Sequence, residues 1–151
     1  HHRTPNIITS LELDPAEMEK RNIHLQKKYA EIEENEVRFE ELHCEDAEYL
    51  IVAFGSCARI AQKAMEIARE EGIKVGLLRP ITLWPFPSKA IAARAAQVKG
   101  ILTVELNAGQ MVEDVRLAVE CKVPVEHFGR LGGIVPDPDE VITALKEKLI
   151  K

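Results

Sequence analysis

After residue 36 this sequence alternates short apolar runs with segments of helical periodicity, and that alternation constrains the fold more than any other feature. The runs are YLIVAF (49–54), IKVGLL (73–78), GILTVE (100–105) and VPVEHF (123–128), and a helical pattern follows each of them. The nearly continuous apolar character of the first run is typical of a parallel strand that is covered on both faces. Repeated strand and helix units imply right-handed crossovers, so the sequence predicts an α/β fold with a mainly parallel sheet between helical layers.

The predicted helices and one further strand complete this pattern. The short run VRFEEL (37–42) is predicted to be an edge strand. The last helix is predicted to begin at Asp137, because the Asp-Pro-Asp-Glu sequence at 137–140 is typical of a capping box. Two other helices are predicted over 88–98 and 110–121. The helix after the first run ends at Gly72, and its inward-facing residues are predicted to be Ile60, Ala61, Ala64, Met65, Ile67 and Ala68.

Composition excludes several classes of function. The 151 residues are 46% hydrophobic and 30% charged, which is ordinary for one globular domain. The net charge is −5 without a basic cluster, which argues against a nucleic-acid partner. No apolar run approaches the roughly 20 residues that span a bilayer, so no membrane role is expected. The three cysteines are irregularly spaced, which favours reduced thiols and a cytoplasmic location over disulfides or a zinc site.

Residues 1–36 are predicted to form a linker or arm that carries a charged helix, and residues 37–151 the α/β domain. Asp14, Pro15 and Glu17 form a typical helix start. The apolar residues of this helix make only a narrow stripe, which fits either a bridge to something else or an ordinary surface helix. A chain that opens on such a helix is expected to be a piece of a longer protein. The stripe consists of Met18, Leu25, Tyr29 and Ile32.

The loop after the first strand is a weak candidate for an anion site. Gly55 and Ser56 precede a helix whose free N–H groups can hold an anion, but the segment GSCARI lacks a GxGxxG or a Walker lysine. A plain helix cap is therefore the preferred interpretation of Ser56. Cys57 at the same helix start could carry a lowered thiol pKa and be reactive, although a small buried residue is the preferred interpretation.

Two later loops carry candidate contact residues. In VELNAGQM, Asn107 can bond the local backbone and Gln110 begins a helix, so the loop fits turn chemistry or a contact with a phosphate or a neighbouring subunit. In FGRLGGIVPDP, Arg130 stands among three glycines and can pair with a carboxylate or a phosphate, or the segment is only a flexible connection. His127 is interpreted as structural, because no matched acid or nucleophile is evident for it.

The segment LRPITLWPFP (78–87) holds the only tryptophan of the chain. Prolines 80, 85 and 87 remove backbone donors, so an interior strand is not expected to continue after Leu78. A stiff, extended connector is predicted instead. Trp84 and Phe86 on this connector either fold onto the domain's own helices or act as anchors for a partner.

Three segments together resemble one known family. They are residues 46–91 (DAEYLIV to PFPSKAI), VELNAGQMVEDVRLAV, and FGRLGGIVPDPDEV. They are similar to the C-terminal, transketolase C-terminal-like domain of the α subunit of 2-oxoacid:ferredoxin oxidoreductases. The GRLGG stretch resembles the branched-chain, 2-oxoisovalerate type. The resemblance implies a three-layer α/β/α fold with five strands in the order 1-3-2-4-5 and the first strand antiparallel at the edge.

The resemblance also implies an enzyme complex. Such enzymes oxidatively decarboxylate a 2-oxoacid with thiamine diphosphate, Mg²⁺, coenzyme A and iron–sulfur clusters, and pass electrons to ferredoxin. This chain has neither a Gly-Asp-Gly segment nor a cluster-type cysteine spacing, so no catalytic, cofactor-binding or metal-binding residue is expected in it. The isolated chain is expected to be inactive. Its implied task is assembly and positioning, with Trp84, Phe86, Asn107, Gln110 and Arg130 as contact residues.

The implied partners are the other domain of the same α subunit, a thiamine diphosphate-binding subunit and an iron–sulfur subunit, within an oligomeric enzyme. Two alternatives remain open. One is a free-standing α/β module that binds an anionic ligand at its strand-to-helix loops. The other is the C-terminal domain of a different thiamine diphosphate enzyme, since such enzymes share the fold.

Overall fold

The computed structural model describes residues 11–150, which contain one five-stranded sheet and five α-helices. The strands are β1 (Phe39–Leu42), β2 (Tyr49–Ala53), β3 (Val75–Pro80), β4 (Gly100–Glu105) and β5 (Val125–Gly129). The helices are α1 (Pro15–Asn35), α2 (Gly55–Glu70), α3 (Ser88–Ala95), α4 (Met111–Val119) and α5 (Pro138–Leu145), and a π-helical segment (Lys146–Ile150) follows α5. The helices α3 and α4 are thus shorter than predicted from the sequence.

The strand order is β1-β3-β2-β4-β5. Strand β1 pairs antiparallel with β3, whereas β2 pairs parallel with both β3 and β4, and β4 pairs parallel with β5. The α/β class, the mainly parallel five-stranded sheet and the antiparallel first strand at the edge are therefore confirmed.

Alternate residues of the central strands pack into two separate apolar cores, one on each face of the sheet. On β2, Ile51 belongs to the core that α2 and α5 cover, whereas Leu50 and Val52 belong to the core that α3 and α4 cover. The same alternation places Leu102 of β4 in the first core and Ile101 in the second. Both faces of the sheet are thus buried, which explains the nearly continuous apolar runs in the sequence.

Two of the three capping residues predicted from the sequence cap their helices in the structure, and the third does not. The Asp137 side chain accepts from the Glu140 N–H at 2.8 Å and completes the predicted capping box of α5. Asp14 accepts from the Ala16 N–H at 2.8 Å and so caps α1. The prediction for Ser56 was wrong, because α2 already begins at Gly55 and Phe54 occupies the cap position without a side-chain bond. The positive φ of Gly55, +56°, turns the chain out of β2 one residue earlier than expected.

The prediction for the chain after Leu78 was right about the interior pairing, since β3 pairs with β2 only as far as Leu78, but wrong that a free connector begins there. Arg79 and Pro80 extend β3 and pair with Glu40 and Phe39 of β1. Proline is tolerated there because it ends the strand, and the next residue supplies the donor that Pro80 lacks. The Ile81 N–H donates to the Arg38 carbonyl oxygen at 2.9 Å.

The described residues divide into two compact units, one ending at Asn35 and the other beginning at Glu36. The first contains α1, a 21-residue helix without a fully buried side chain. Its role as a linker or arm stays a prediction. Within residues 11–150, no helix is long and apolar enough to cross a membrane.

Candidate functional site

The loops that carry the candidate residues lie at one edge of the sheet. Because β2 to β5 run parallel, their carboxyl ends share an edge, which we call the carboxyl edge. Ligands and partners of open α/β sheets gather at this edge. The residues that follow β2, β3, β4 and β5 there include Gly55 and Ser56, then Trp84 and Phe86, then Asn107 and Gln110, and finally Arg130.

This edge collects most of the exposed apolar side chains of the second unit. Nine large apolar side chains between Glu36 and Ile150 are exposed, and Leu117 on α4 is the single one that lies elsewhere. We call the other eight the carboxyl-edge surface. They are Phe39, Ile81, Leu83, Trp84, Leu106, Leu131, Ile134 and Val135. Scattered exposed apolar residues are ordinary, but a concentration on neighbouring loops is typical of an interaction surface.

The segment after β3 directs its two aromatic side chains differently. Trp84 is 55% exposed, whereas Phe86 is half-buried and packs against the core that α3 and α4 cover. The Thr82 hydroxyl braces the segment, because it accepts from the Arg38 N–H at 3.0 Å and donates to the Pro85 carbonyl at 2.9 Å. The Trp84–Pro85 peptide bond is cis. The contact roles of Trp84 and Phe86 stay predictions.

Glu105 is the residue of this edge that the sequence analysis missed. It ends β4, is fully buried, and accepts three backbone hydrogen bonds from the start of α4. The Gln110 and Met111 N–H groups donate to Oε2 at 3.1 and 2.8 Å, and the Val112 N–H donates to Oε1 at 3.0 Å. A carboxylate at the positive end of the helix thus satisfies donors that a helix start leaves free. The signal in the sequence was a glutamate at the end of a buried strand, five residues before a helix.

A second set of contacts joins β5 to the loop after β4. His127 Nδ1 lies 3.4 Å from Glu105 Oε1 and 3.2 Å from the Thr103 hydroxyl oxygen. His127 Nε2 lies 3.3 Å from the Asn107 carbonyl oxygen, to which it can only donate. The premise that His127 has no matched acid was therefore wrong, since Glu105 is separated from it by 22 positions in the sequence and only the sheet brings them together. The structural interpretation of His127 agrees with these contacts.

Residues 106–110 alternate between outward and inward positions. Leu106, Ala108 and Gln110 are exposed, whereas Asn107 and Gly109 are half-buried. The Asn107 side chain accepts from the Gly109 N–H at 2.7 Å, as the turn chemistry predicted. Asn107 is therefore engaged within the loop, and the Gln110 side chain is the better placed of the two for an outside contact.

The end of β5 has no space for a side chain at Gly129. A Cβ at this position would collide with the Asn107 carbonyl oxygen and lie 2.7 Å from His127 Nε2. The backbones of β5 and of the loop after β4 therefore approach each other so closely that only glycine fits at position 129.

Arg130 follows Gly129 and is tied within the domain. Its guanidinium Nη1 lies 3.3 Å from Glu140 Oε1, and its backbone N–H donates to the Glu105 backbone carbonyl at 3.3 Å. The side chains of Arg130 and Glu140 remain partly exposed, so the guanidinium can still contact a partner. The glycines at 132 and 133 have φ values of +65° and +83° and lie in a turn.

The start of α2 offers exposed backbone donors but no reactive thiol. Gly55 and Ser56 are exposed, and no side chain caps the helix. Cys57 is buried, and burial, reinforced by the nearby Glu105 carboxylate, raises the pKa of its thiol. The preferred interpretation of Cys57 as a small buried residue thus agrees with the structure, whereas a lowered thiol pKa does not.

The donor set of the described residues does not fit a metal ion or an iron–sulfur cluster. No group of three or more His, Cys, Asp or Glu side chains converges anywhere in residues 11–150. Glu105 is unsuited as a ligand, because both of its oxygens already accept backbone N–H groups. What this edge offers chemically is a contact surface with a rigid backbone beneath it.

Comparisons with known proteins agree with this geometry. The chain is 46% identical to the ketoisovalerate oxidoreductase subunit VorB of Methanothermobacter marburgensis, over 94% of this chain and 40% of that protein. It is 32% identical to the 2-oxoglutarate synthase subunit KorA of the same organism, over 67% of this chain and 27% of that protein. The chain thus spans less than half the length of these relatives.

Solved structures show the same fold. The 2-oxoglutarate:ferredoxin oxidoreductase of Magnetococcus marinus, with 2-oxoglutarate, coenzyme A and succinyl-CoA bound, matches with a TM-score of 0.75 and 25% identity, over 90% of this chain and 24% of that one. A split-gene transketolase matches with a TM-score of 0.64 and 20% identity, over 75% of this chain and 41% of that one. The resemblance seen in the sequence is therefore confirmed. Residues 47–141 match the family model described as pyruvate:ferredoxin oxidoreductase core domain II, and the chain belongs to that family.

Proposed function

We propose that this chain is an assembly and positioning domain of a thiamine diphosphate-dependent 2-oxoacid:ferredoxin oxidoreductase. In that reaction the carboxylate of the 2-oxoacid leaves as CO₂, the acyl group passes to the coenzyme A thiol, and the electrons pass to ferredoxin. We propose 2-oxoisovalerate as the substrate, because the chain is 46% and 49% identical to two ketoisovalerate oxidoreductase subunits but 31% to 34% identical to the 2-oxoglutarate synthase subunits.

The observation that carries the assembly role is the carboxyl-edge surface. Its eight side chains come from β1 and from the loops after β3, β4 and β5, and the segment after β3 is stiffened by its prolines. A stiff apolar surface loses little conformational entropy when a partner covers it. The proposed occupants are the thiamine diphosphate-binding parts of the complex, with Trp84, Phe86, Gln110 and Arg130 among the contact residues.

The cofactors belong to other parts of the proposed complex. Thiamine diphosphate, Mg²⁺ and the iron–sulfur clusters would be held by partner domains and subunits, and the described residues offer no cluster of metal-ligating side chains. The isolated chain would then be inactive. A cytoplasmic location is part of the proposal, and the free thiols of Cys44 and Cys57 support it.

The first test is to purify the complex that contains this chain from its own cells without oxygen and to identify its subunits by mass spectrometry. A thiamine diphosphate-binding subunit and a cysteine-rich iron–sulfur subunit are expected. A panel of 2-oxoacids with coenzyme A and a dye acceptor then identifies the substrate, and 2-oxoisovalerate should give the highest kcat/KM. A lone chain without these subunits would contradict the proposal.

A matched pair of variants tests the surface itself. Leu131→Asp places a charge in the carboxyl-edge surface, at a side chain that is 58% exposed, and is expected to weaken subunit assembly at least tenfold. Leu117→Asp alters a leucine on α4 that is 77% exposed, and should leave assembly unchanged. Trp84→Ala is expected to act like Leu131→Asp. Equal assembly of all these variants and the wild type would refute the role of the surface.

The anion-binding module is a second candidate, favoured by the uncapped start of α2. Gly55 and Ser56 expose backbone donors there without a side chain to satisfy them. Calorimetry with nucleotides, coenzyme A and thiamine diphosphate tests this candidate, and the absence of heat would refute it.

Dependence on ferredoxin, rather than on a lipoyl protein or a sugar acceptor, separates the main proposal from another thiamine diphosphate enzyme.

A further inference from the structure

Glu105 connects the interior of the domain to the loop 106–110 of the carboxyl-edge surface. Its carboxylate is fully buried and is held by the three N–H groups at the start of α4. Charge-assisted hydrogen bonds of this kind are stronger than neutral ones, and a buried carboxylate needs them. The start of α4 is thus bound to the end of β4 by this side chain, in addition to the apolar packing of the helix.

Both ends of the loop are fixed, and between them the backbone has little freedom. Gln110 is held through its N–H by Glu105, and Asn107 is held through its carbonyl by His127. The Asn107 side chain spans the middle of the turn. This arrangement determines which residues face outward, namely Leu106, Ala108 and Gln110.

We propose that Glu105 is a positioning residue, whose buried carboxylate preforms the loop 106–110 as a contact surface for the thiamine diphosphate-binding partner. This inference rests on the proposed function. Preforming a loop strengthens binding because the entropy of ordering it is lost during folding rather than during association. Glu105 does not itself touch the partner, since it is fully buried.

The main variant is Glu105→Gln in the complete complex. An amide keeps the size of the side chain but turns a donor toward at least one backbone N–H, so the start of α4 loses part of its cap. We expect subunit affinity to fall about tenfold, measured by titration at a temperature where circular dichroism shows both proteins folded. Glu105→Asp, which is one methylene shorter, is the second variant should the first fail to fold, and it should also weaken assembly.

A double-mutant cycle separates positioning from simple destabilisation. Leu106→Ala with Gln110→Ala removes the outward side chains of the loop but keeps the Gln110 backbone N–H that Glu105 accepts. If Glu105 acts through the loop, adding Glu105→Gln to this background should lower affinity less than about threefold further. A full additional tenfold loss would overturn the inference.

A stability control completes the experiment. Val104→Ala opens a cavity in the core on the opposite face of β4, so it destabilises the domain without touching the loop. It is expected to leave subunit affinity unchanged below its unfolding temperature. Loss of affinity in Val104→Ala equal to that in Glu105→Gln would refute the inference. Failure of the wild-type complex to form would refute the proposed function and the inference together.

Discussion

The two edges of the sheet are built on different physical principles. The opposite edge, where the parallel strands begin and which we call the amino edge, is bound together by ion pairs between neighbouring elements. They join Arg69 to Asp46 at 2.6 Å, Lys146 to Glu71 at 2.6 Å, and Lys99 to Glu48. Of the nine exposed large apolar side chains between Glu36 and Ile150, eight lie at the carboxyl edge and the ninth, Leu117, lies in the last turn of α4.

The two edges therefore differ in what they present to solvent, which is mainly charged pairs at the amino edge and apolar side chains at the carboxyl edge. Charged pairs at a surface contribute little free energy but stay hydrated and resist association. Exposed apolar residues on a stiff backbone do the reverse, and the carboxyl edge adds to them a buried carboxylate and a glycine with no room for a Cβ. The carboxyl edge also carries an ion pair, between Arg130 and Glu140, in addition to the backbone network around Glu105 and Gly129.

The largest effect on stability is expected when one methyl group is added at each edge of the sheet. Gly129→Ala should lower the free energy of unfolding by about 3 kcal/mol, because its Cβ meets the Asn107 backbone oxygen and the His127 ring. Gly100→Ala is the matched control at the amino edge. Its Cβ meets the flexible end of the Leu149 side chain, which can move, so the loss should be clearly smaller. Urea unfolding measures both, and equal losses would contradict a specially tight carboxyl edge.

An intermediate effect concerns the half-buried ion pair between Glu41 on β1 and Arg94 on α3, which are 2.6 Å apart. The hydrogen bond from Arg94 lowers the pKa of the Glu41 carboxyl below its ordinary value, although burial opposes this. A lowered carboxyl pKa contributes stability above the unfolded pKa, and that stability is lost as the pH falls through the folded pKa. Glu41→Gln should therefore cost about 1 kcal/mol at neutral pH.

The measurement for this pair is urea unfolding of the wild type and Glu41→Gln between neutral pH and pH values well below 4.5. The difference between the two proteins should shrink on acidification, since the wild-type carboxylate becomes protonated. Glu40→Gln, which breaks a more exposed pair with Arg79, should cost less at neutral pH. A difference that grows toward low pH would show that the sign of this argument is wrong.

The smallest effect is expected at Lys99 and Glu48. Their hydrogen bond lowers the pKa of Glu48 and raises the pKa of Lys99, but both side chains are exposed and screened by solvent. Lys99→Met should therefore leave the urea midpoint unchanged within error and have no effect on subunit assembly. A loss of assembly would show that the amino edge also meets a partner.

Much of this molecule could be predicted from local patterns. Buried parallel strands read as apolar runs, and the Asp137 capping box and the Asn107 turn depend on residues only two or three positions apart. Such signals lie within a few residues of each other, so the sequence displays them directly.

The sequence by itself determined the α/β class, the elements and the loops on which the contact residues lie, because periodicity and capping are local properties of the chain. Only the tertiary structure decided that Pro80 ends a paired strand, that Glu105 caps α4, and that His127 meets that carboxylate. These outcomes depend on pairings between segments far apart in the sequence. The packing of the sheet selects among such pairings, and no local pattern records the choice.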